Sequence, residues 1–235
     1  QTGPSFPVLF SPDQATSNRS SVLLRKLTGH TAPVTATAFM QQNNIVVSGS
    51  QDGTVRFWDA RTDKLLQSID VGKPVTDIAS SDANDELCAV ACDDGTIMII
   101  ETSNWKTLHT LQAHAAPVHD IDFTMDGLRL ISCGADPDIR IWGLRSGNRL
   151  QTLTGHTDSV TSVVTLSDGI SMMSGSLDRT VRLWNLESET ETRRLDGHLF
   201  PVTSVDVTRS RMDAISGDTS GRVIVWKLND KLDQQ

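Results

Sequence analysis

The 235-residue chain carries 21 Lys and Arg against 29 Asp and Glu, a net charge of −8. That balance argues against a general nucleic-acid-binding surface, which needs a basic stripe to neutralise phosphates. Three cysteines, an odd and sparse set, exclude a disulfide framework and fit a reducing compartment; with no signal peptide and no apolar run near the roughly 20 residues of a membrane span, the expected location is cytoplasmic or nuclear.

Residues 1–20, rich in Pro, Ser, Gln and Asn, read as an extended N-terminal arm or linker. The chain starts at Gln1 without a Met, which suggests a processed chain or part of something longer. Val22-Leu-Leu-Arg-Lys-Leu27 has the pattern of a fourth strand that lacks its own first three. From there a unit repeats. Each copy begins with an alternation of apolar and polar residues that predicts a half-buried strand: Val34 to Phe39, Val75 to Ile78, Val118 to Phe123, Val160 to Val163 and Val202 to Val207. The first valines lie 41, 43, 42 and 42 residues apart. A second short strand follows, as in Asn44 to Ser48, and then a tight turn such as Asp52-Gly53 or Asp94-Gly95, where Gly accepts positive φ at little cost. The third strand ends on a marker at Trp58, Trp142, Trp184 or Trp226, with Ile100 in the one gap, a 42-residue beat. Looser fourth strands are expected over 64–69, 105–111, 148–153 and 191–195. Modules of this length cannot bury their apolar faces alone and must stack on neighbours, and four antiparallel strands per unit make a propeller blade.

Gly29-His30, Gly155-His156 and Gly197-His198 precede their units, with Ala113-His114 as a near match. Trp58-Asp59 closes the first unit, whereas Trp142-Gly143, Trp184-Asn185 and Trp226-Lys227 keep only the Trp. With these GH and WD dipeptides in register, the chain resembles the WD40 family over roughly residues 21–228. The resemblance implies an all-β propeller of about five four-stranded blades between the arm and a polar tail, 229–235. It also implies a buried structural tetrad of His, Ser or Thr, Asp and Trp in each blade. The matching sets are His30, Ser48, Asp52 and Trp58; His114, Ser132, Asp136 and Trp142; and His156, Ser174, Asp178 and Trp184. The fifth blade offers His198, Ser216 and Trp226 but has Ser220 where the Asp is expected. The second has Val71, Val90 and Ile100 and keeps only Asp94, as if packing replaced the network. A Ser/His/Asp set also suggests acyl transfer, but the same set recurs in several blades, and buried polar groups need partners in any fold.

The chain ends pose two alternatives. Residues 229–235 are too polar for a fourth strand, so Val22 to Leu27 can complete the last blade and close a five-blade ring. The family more often has seven blades, so the chain is otherwise part of a larger propeller with exposed strand edges.

No Gly-rich phosphate loop, metal-ligand cluster or unique acid/base pair stands outside the repeat, so no catalytic residue, cofactor or metal is expected. Cys88 and Cys92 lack the paired spacing of a zinc site and, with Cys133, read as small buried hydrophobes. Arg140, Arg145 and Arg149 read as solvated charges. The resemblance implies that partners dock on the face carrying the GH loops, through three positions per blade. These are Pro33, Thr35 and Gln51; Pro74, Thr76 and Asp93; Pro117, His119 and Ala135; Ser159, Thr161 and Leu177; and Pro201, Thr203 and Thr219, with Phe200 beside them. Thr35, Gln51, Asp93, His119, Leu177, Phe200 and Thr203 are the candidate partner-binding residues. None is Arg, unlike a phosphopeptide reader, and one aromatic does not make a methyl-lysine cage. The expected function is a non-catalytic protein-interaction scaffold in a larger multiprotein assembly, docking a peptide or loop of other proteins. The alternative is an RNA- or ribonucleoprotein-associated propeller that binds through basic loops at Arg193-Arg194 and Arg209 to Arg211.

Overall fold

The computed structural model describes residues 26–40, 44–81, 83, 86–208 and 213–228, which form nineteen antiparallel strands and no helix. They make five sheets, each from consecutive strands. Blade 1 is β1 (Val34–Met40), β2 (Ile45–Ser50), β3 (Thr54–Asp59) and β4 (Leu65–Asp70). Blade 2 is β5 (Val75–Ser80), β6 (Leu87–Cys92), β7 (Thr96–Glu101) and β8 (Lys106–Gln112). Blade 3 is β9 (Val118–Phe123), β10 (Arg129–Gly134), β11 (Ile139–Gly143) and β12 (Asn148–Leu153). Blade 4 is β13 (Val160–Thr165), β14 (Ser171–Ser176), β15 (Thr180–Asn185) and β16 (Thr190–Asp196), and blade 5 keeps three strands, β17 (Val202–Val207), β18 (Asp213–Asp218) and β19 (Val223–Lys227). The expected strands and their 42-residue beat are therefore present. The expected arm 1–20, the tail 229–235 and Val22 to Arg25 lie outside the described residues; Lys26 and Leu27 are described and are not in a strand.

Burial explains why the units come in series. The apolar clusters lie between blades rather than within them. Val47, Val55 and Phe57 of blade 1 pack with Val75, Ile78, Val90 and Ile100 of blade 2. Ala91, Ile97 and Ile99 then meet Val118 and Ile121, Cys133, Ile139 and Ile141 meet Val160 and Val163, and Met173 and Val181 meet Val202 and Val205. A recurring fit sits at the centre of each contact. The first Val of an inner strand enters a slot over a small residue of the preceding blade: Gly49, Ala91, Cys133 or Gly175. A Cβ placed on Gly175 would come within 2.7 Å of Val202 and 2.9 Å of Val205.

The two ends of the stack are left open among the described residues. Val34 is 49% exposed, where Val75, Val118, Val160 and Val202 are buried. On blade 5, Val223 and Val225 are 66% and 64% exposed, where Val181, Ile139 and Ile141 are buried. A Cβ on Gly217 would meet only Ser204 and Thr203 of its own blade. The inner strands pack β1 on β5, β5 on β9, β9 on β13 and β13 on β17, and among the described residues the sheets do not close into a ring.

This asymmetry gives a paired prediction. Gly175→Ala overpacks a covered slot and should destabilise the protein by about 1–3 kcal/mol, whereas Gly217→Ala should stay within about 0.5 kcal/mol of the parent. Urea denaturation measures both. Equal losses would mean that a further blade covers the Gly217 slot.

Candidate functional site

The polar sets foreseen in blades 1, 3 and 4 form in full. In blade 4 the Trp184 indole N–H donates to Ser174 Oγ at 2.8 Å, the Ser174 hydroxyl lies 2.8 Å from His156 Nε2, and His156 Nδ1 lies 2.8 Å from Asp178 Oδ2. The same bonds measure 2.9, 2.8 and 2.9 Å in blade 1 and 3.0, 2.9 and 3.0 Å in blade 3. One direction satisfies every group: indole to Ser, Ser to a neutral His, His to carboxylate. Burial holds the His114 and His156 pKa values below the ordinary histidine range. Burial opposes ionisation of Asp178 as well, yet hydrogen bonds from Thr180 and His156 outweigh it and lower its pKa to about 2. Both shifts stabilise the fold at neutral pH. The histidine contribution fades as pH falls through 6.5 and the carboxylate contribution as pH falls from about 4 toward 2. Ser132 and Ser174 are fully buried, with a lone pair taken by the indole, so neither hydroxyl can reach a substrate. The Ser/His/Asp sets hold loops to strands.

Two expectations need correction. The fifth blade does have its Asp. Asp218, two residues before the expected place, accepts from His198 Nδ1 at 2.7 Å, and the Ser220 hydroxyl donates to its other oxygen at 2.5 Å. Ser220 therefore takes the part that Thr180 plays for Asp178. Arg140 is not a solvated charge: it donates to Asp136 at 2.9 Å and to the Ala113 carbonyl at 2.9 Å, and it also touches His114, bracing the third tetrad. In blade 2, Val90 and Ile100 are buried in an apolar cluster that Val71 adjoins, and Asp94 binds Thr96 and Lys73 instead. All three cysteines are free and buried.

The candidate docking positions are brought together blade by blade. The backbone N–H groups of Gln51, Asp93, Ala135, Leu177 and Thr219 donate to the carbonyls of Pro33, Pro74, Pro117, Ser159 and Pro201 at 2.9–3.0 Å, which sets each turn beside its own GH loop. Thr35, Thr76, His119, Thr161 and Thr203 each sit at a register shift after the first residue of the inner strand, where a bulge re-aims the side chain. Three of these side chains reach the next blade. Thr35 donates to the Val75 carbonyl at 2.6 Å, Thr161 to the Val202 carbonyl at 2.8 Å, and His119 Nδ1 lies 3.0 Å from the Val160 carbonyl. Thr35 and His119 thus spend polar groups on the next blade and Thr203 donates to the Gly217 carbonyl of its own blade at 3.2 Å, while Gln51 and Asp93 are exposed and Leu177 is partly so. Phe200 is 49% exposed beside Leu199 at 66%. Sequence reasoning passed over Leu199, although Leu-Phe stands where the other units carry Thr-Ala, Gly-Lys, Ala-Ala or Thr-Asp.

The tetrad assignments predict stability rather than turnover effects. His156→Ala strands Ser174 and Asp178 and should cost about 1–3 kcal/mol. Asp218→Ala should lower the melting temperature about as far as Asp178→Ala, and Ser220→Ala by less. A silent Asp218→Ala would refute the fifth tetrad.

The family model described as "WD domain, G-beta repeat" matches residues 21–59, 105–143 and 147–185. Among curated proteins, the chain is 35% identical over 135 residues to U3 small nucleolar RNA-associated protein 21 homolog of Schizosaccharomyces pombe, covering 56% of this chain and 15% of that protein. It is 30% identical over 129 residues to U3 small nucleolar RNA-associated protein 21 of Saccharomyces cerevisiae, covering 55% and 14%. It is 32% identical over 117 residues to periodic tryptophan protein 2 of Arabidopsis thaliana, covering 49% and 13%. The chain thus matches only a small part of the length of each of these relatives. With the three family matches in register with the tetrads and the blade stack, the chain is a WD40-repeat protein.

Proposed function

We propose that the chain is a non-catalytic scaffold that docks other proteins on the face carrying the GH loops and the turns between second and third strands. The observation that carries this reading is the adjacent pair Leu199 and Phe200, two exposed large apolar side chains on that face. A buried hydrophobic anchor with a polar surround is the usual energetic centre of a protein interface. Gln51, Asp93, Thr203 and the partly exposed Leu177 supply the mixed surround. The relatives support a role in a larger assembly and a nuclear location, because two of them are named as U3 small nucleolar RNA-associated proteins. Among the described residues, no helix is long and apolar enough to cross a membrane.

Those names also favour a second reading, in which the chain works within a ribonucleoprotein through Arg193 and Arg194. Arg194 is already paired with Asp196 at 2.9 Å, which weakens its field; Arg209 to Arg211 lie outside the described residues. Direct phosphate contact would show as a steep loss of binding with salt.

The test is a pull-down read by mass spectrometry, comparing the parent with a variant carrying Gln51→Ala, Asp93→Ala, Leu177→Ser and Phe200→Ser at unchanged melting temperature. Partners captured by the parent and lost by the variant, with weak salt dependence, are the expected result. Partners that persist in the variant would place the working surface elsewhere, and RNA captured in a steeply salt-sensitive way would select the ribonucleoprotein reading.

A further inference from the structure

The corner where blade 4 meets blade 5 departs from the repeat at three places. Leu199 and Phe200 follow His198 in the loop between β16 and β17. Arg179 closes the β14–β15 turn, its N–H donating to the Ser176 carbonyl at 3.1 Å, a position that Gly53, Gly95 and Gly221 fill in blades 1, 2 and 5. Arg222 stands where blades 1, 2 and 4 have Thr54, Thr96 and Thr180, whose hydroxyls donate to the turn aspartates.

Neither arginine serves the turn that carries it. Arg179 has φ of 70°, in the left-handed region where the three glycines sit at 80°, 86° and 85° and where a Cβ is disfavoured. Arg222 has no Asp to hold, because Asp218 takes its hydroxyl bond from Ser220. Both arginines are exposed. Arg140, Arg182 and Arg194 are paired with Asp136, Glu191 and Asp196, but among the described residues neither Arg179 nor Arg222 has a carboxylate partner. The topology brings these departures together. Thr180 pairs with Asp196 across β15 and β16, which sets Arg179 beside Gly197, at the start of the Leu-Phe loop. The bond of His198 to Asp218, and that of the Thr219 N–H to the Pro201 carbonyl at 2.9 Å, set the loop's other side on the turn that ends at Arg222. Leu199 and Phe200 therefore stand between two turns that each carry an unpaired guanidinium.

We propose that this corner binds a segment of a partner protein in which Asp or Glu stands next to an aliphatic or aromatic side chain. The inference rests on the docking face proposed above and names the chemistry of its partner. The apolar side chain covers Leu199 and Phe200, and the carboxylates take charge-assisted, bidentate bonds from Arg179 and Arg222. The left-handed backbone of Arg179 agrees with this, because a sparsely populated conformation without a structural need points to a functional one. Asp93 on the blade 2 turn and Asp158 in the loop before blade 4 are exposed carboxylates, so an acidic segment is repelled from the rest of the face and confined to this corner. Two guanidiniums on a chain of net charge −8 neutralise too few phosphates to favour RNA at the same place.

Panning a phage-displayed library of random dodecapeptides on the full chain tests this. Sequences with Asp or Glu adjacent to Leu, Ile, Phe or Trp should be enriched, and the Kd of one such synthetic peptide is then read by fluorescence anisotropy. Arg179→Gly removes the charge and relieves the backbone, so its melting temperature should not fall. It should weaken the peptide about threefold, and the double variant with Arg222→Gln about tenfold, with a shallower salt dependence. Phe200→Ser should weaken it as well. Enrichment of Lys or Arg, or no enrichment, would overturn the proposal. If the double variant binds like the parent while Phe200→Ser does not, the acidic chemistry is overturned and the docking face stands. If the peptide binds all the variants like the parent, the docking face fails with it. A molar mass by light scattering that doubles with concentration in the parent but not in Phe200→Ser would assign the corner to a second copy of the chain instead.

Discussion

A single blade of this protein cannot bury its own apolar face, and the rest of the structure follows from that constraint. Each of the four apolar clusters draws on two consecutive blades. The shared fit is a Val at the start of an inner strand seated over a Gly, Ala or Cys of the preceding blade. In such repeats stability is carried largely by the interfaces between neighbours. The same logic explains why the apolar positions at the two ends, Val34 on one side and Val223 with Val225 on the other, remain exposed.

Polar chemistry is subordinate to this stacking. Residues that look like parts of an active site are consumed in fastening loops to strands and blades to one another. The tetrads join a loop His to the Ser, Asp and Trp of the strands that follow. The bulge residues Thr35, His119 and Thr161 tie β1 to β5, β9 to β13 and β13 to β17. Blade 2 shows that a tetrad is replaceable, since Val90 and Ile100 fill its space with apolar atoms. The proposed docking would draw on side chains that these fastenings leave exposed, foremost Leu199 and Phe200.

The parts legible in the sequence are those that a fixed spacing exposes. The Trp beat and the Val-initiated alternation gave the strands and the blade count, and the family resemblance, carried over in register, pointed to three tetrads. The fifth Asp escaped because blade 5 shifts its carboxylate from the turn to the end of β18, so the spacing rule pointed at Ser220 while Asp218 fills the role. Arg140 escaped because its reach to Asp136 and the Ala113 carbonyl depends on a loop 27 residues earlier. Asp120 and Asp122 stood in the sequence only as polar positions of the half-buried strand Val118 to Phe123. Their side of the strand faces other inner strands rather than bulk solvent, which no local pattern records.

Hydrogen–deuterium exchange of the chain, free and bound to the proteins it captures, tests the division between holding and binding most directly. The account predicts that partners protect backbone amides of the GH loops and turns, around residues 51, 93 and 199–203, while amides in β6, β10 and β14 are already protected in the free chain and change little. Protection appearing instead at the outer strands or within the tetrad strands would contradict it.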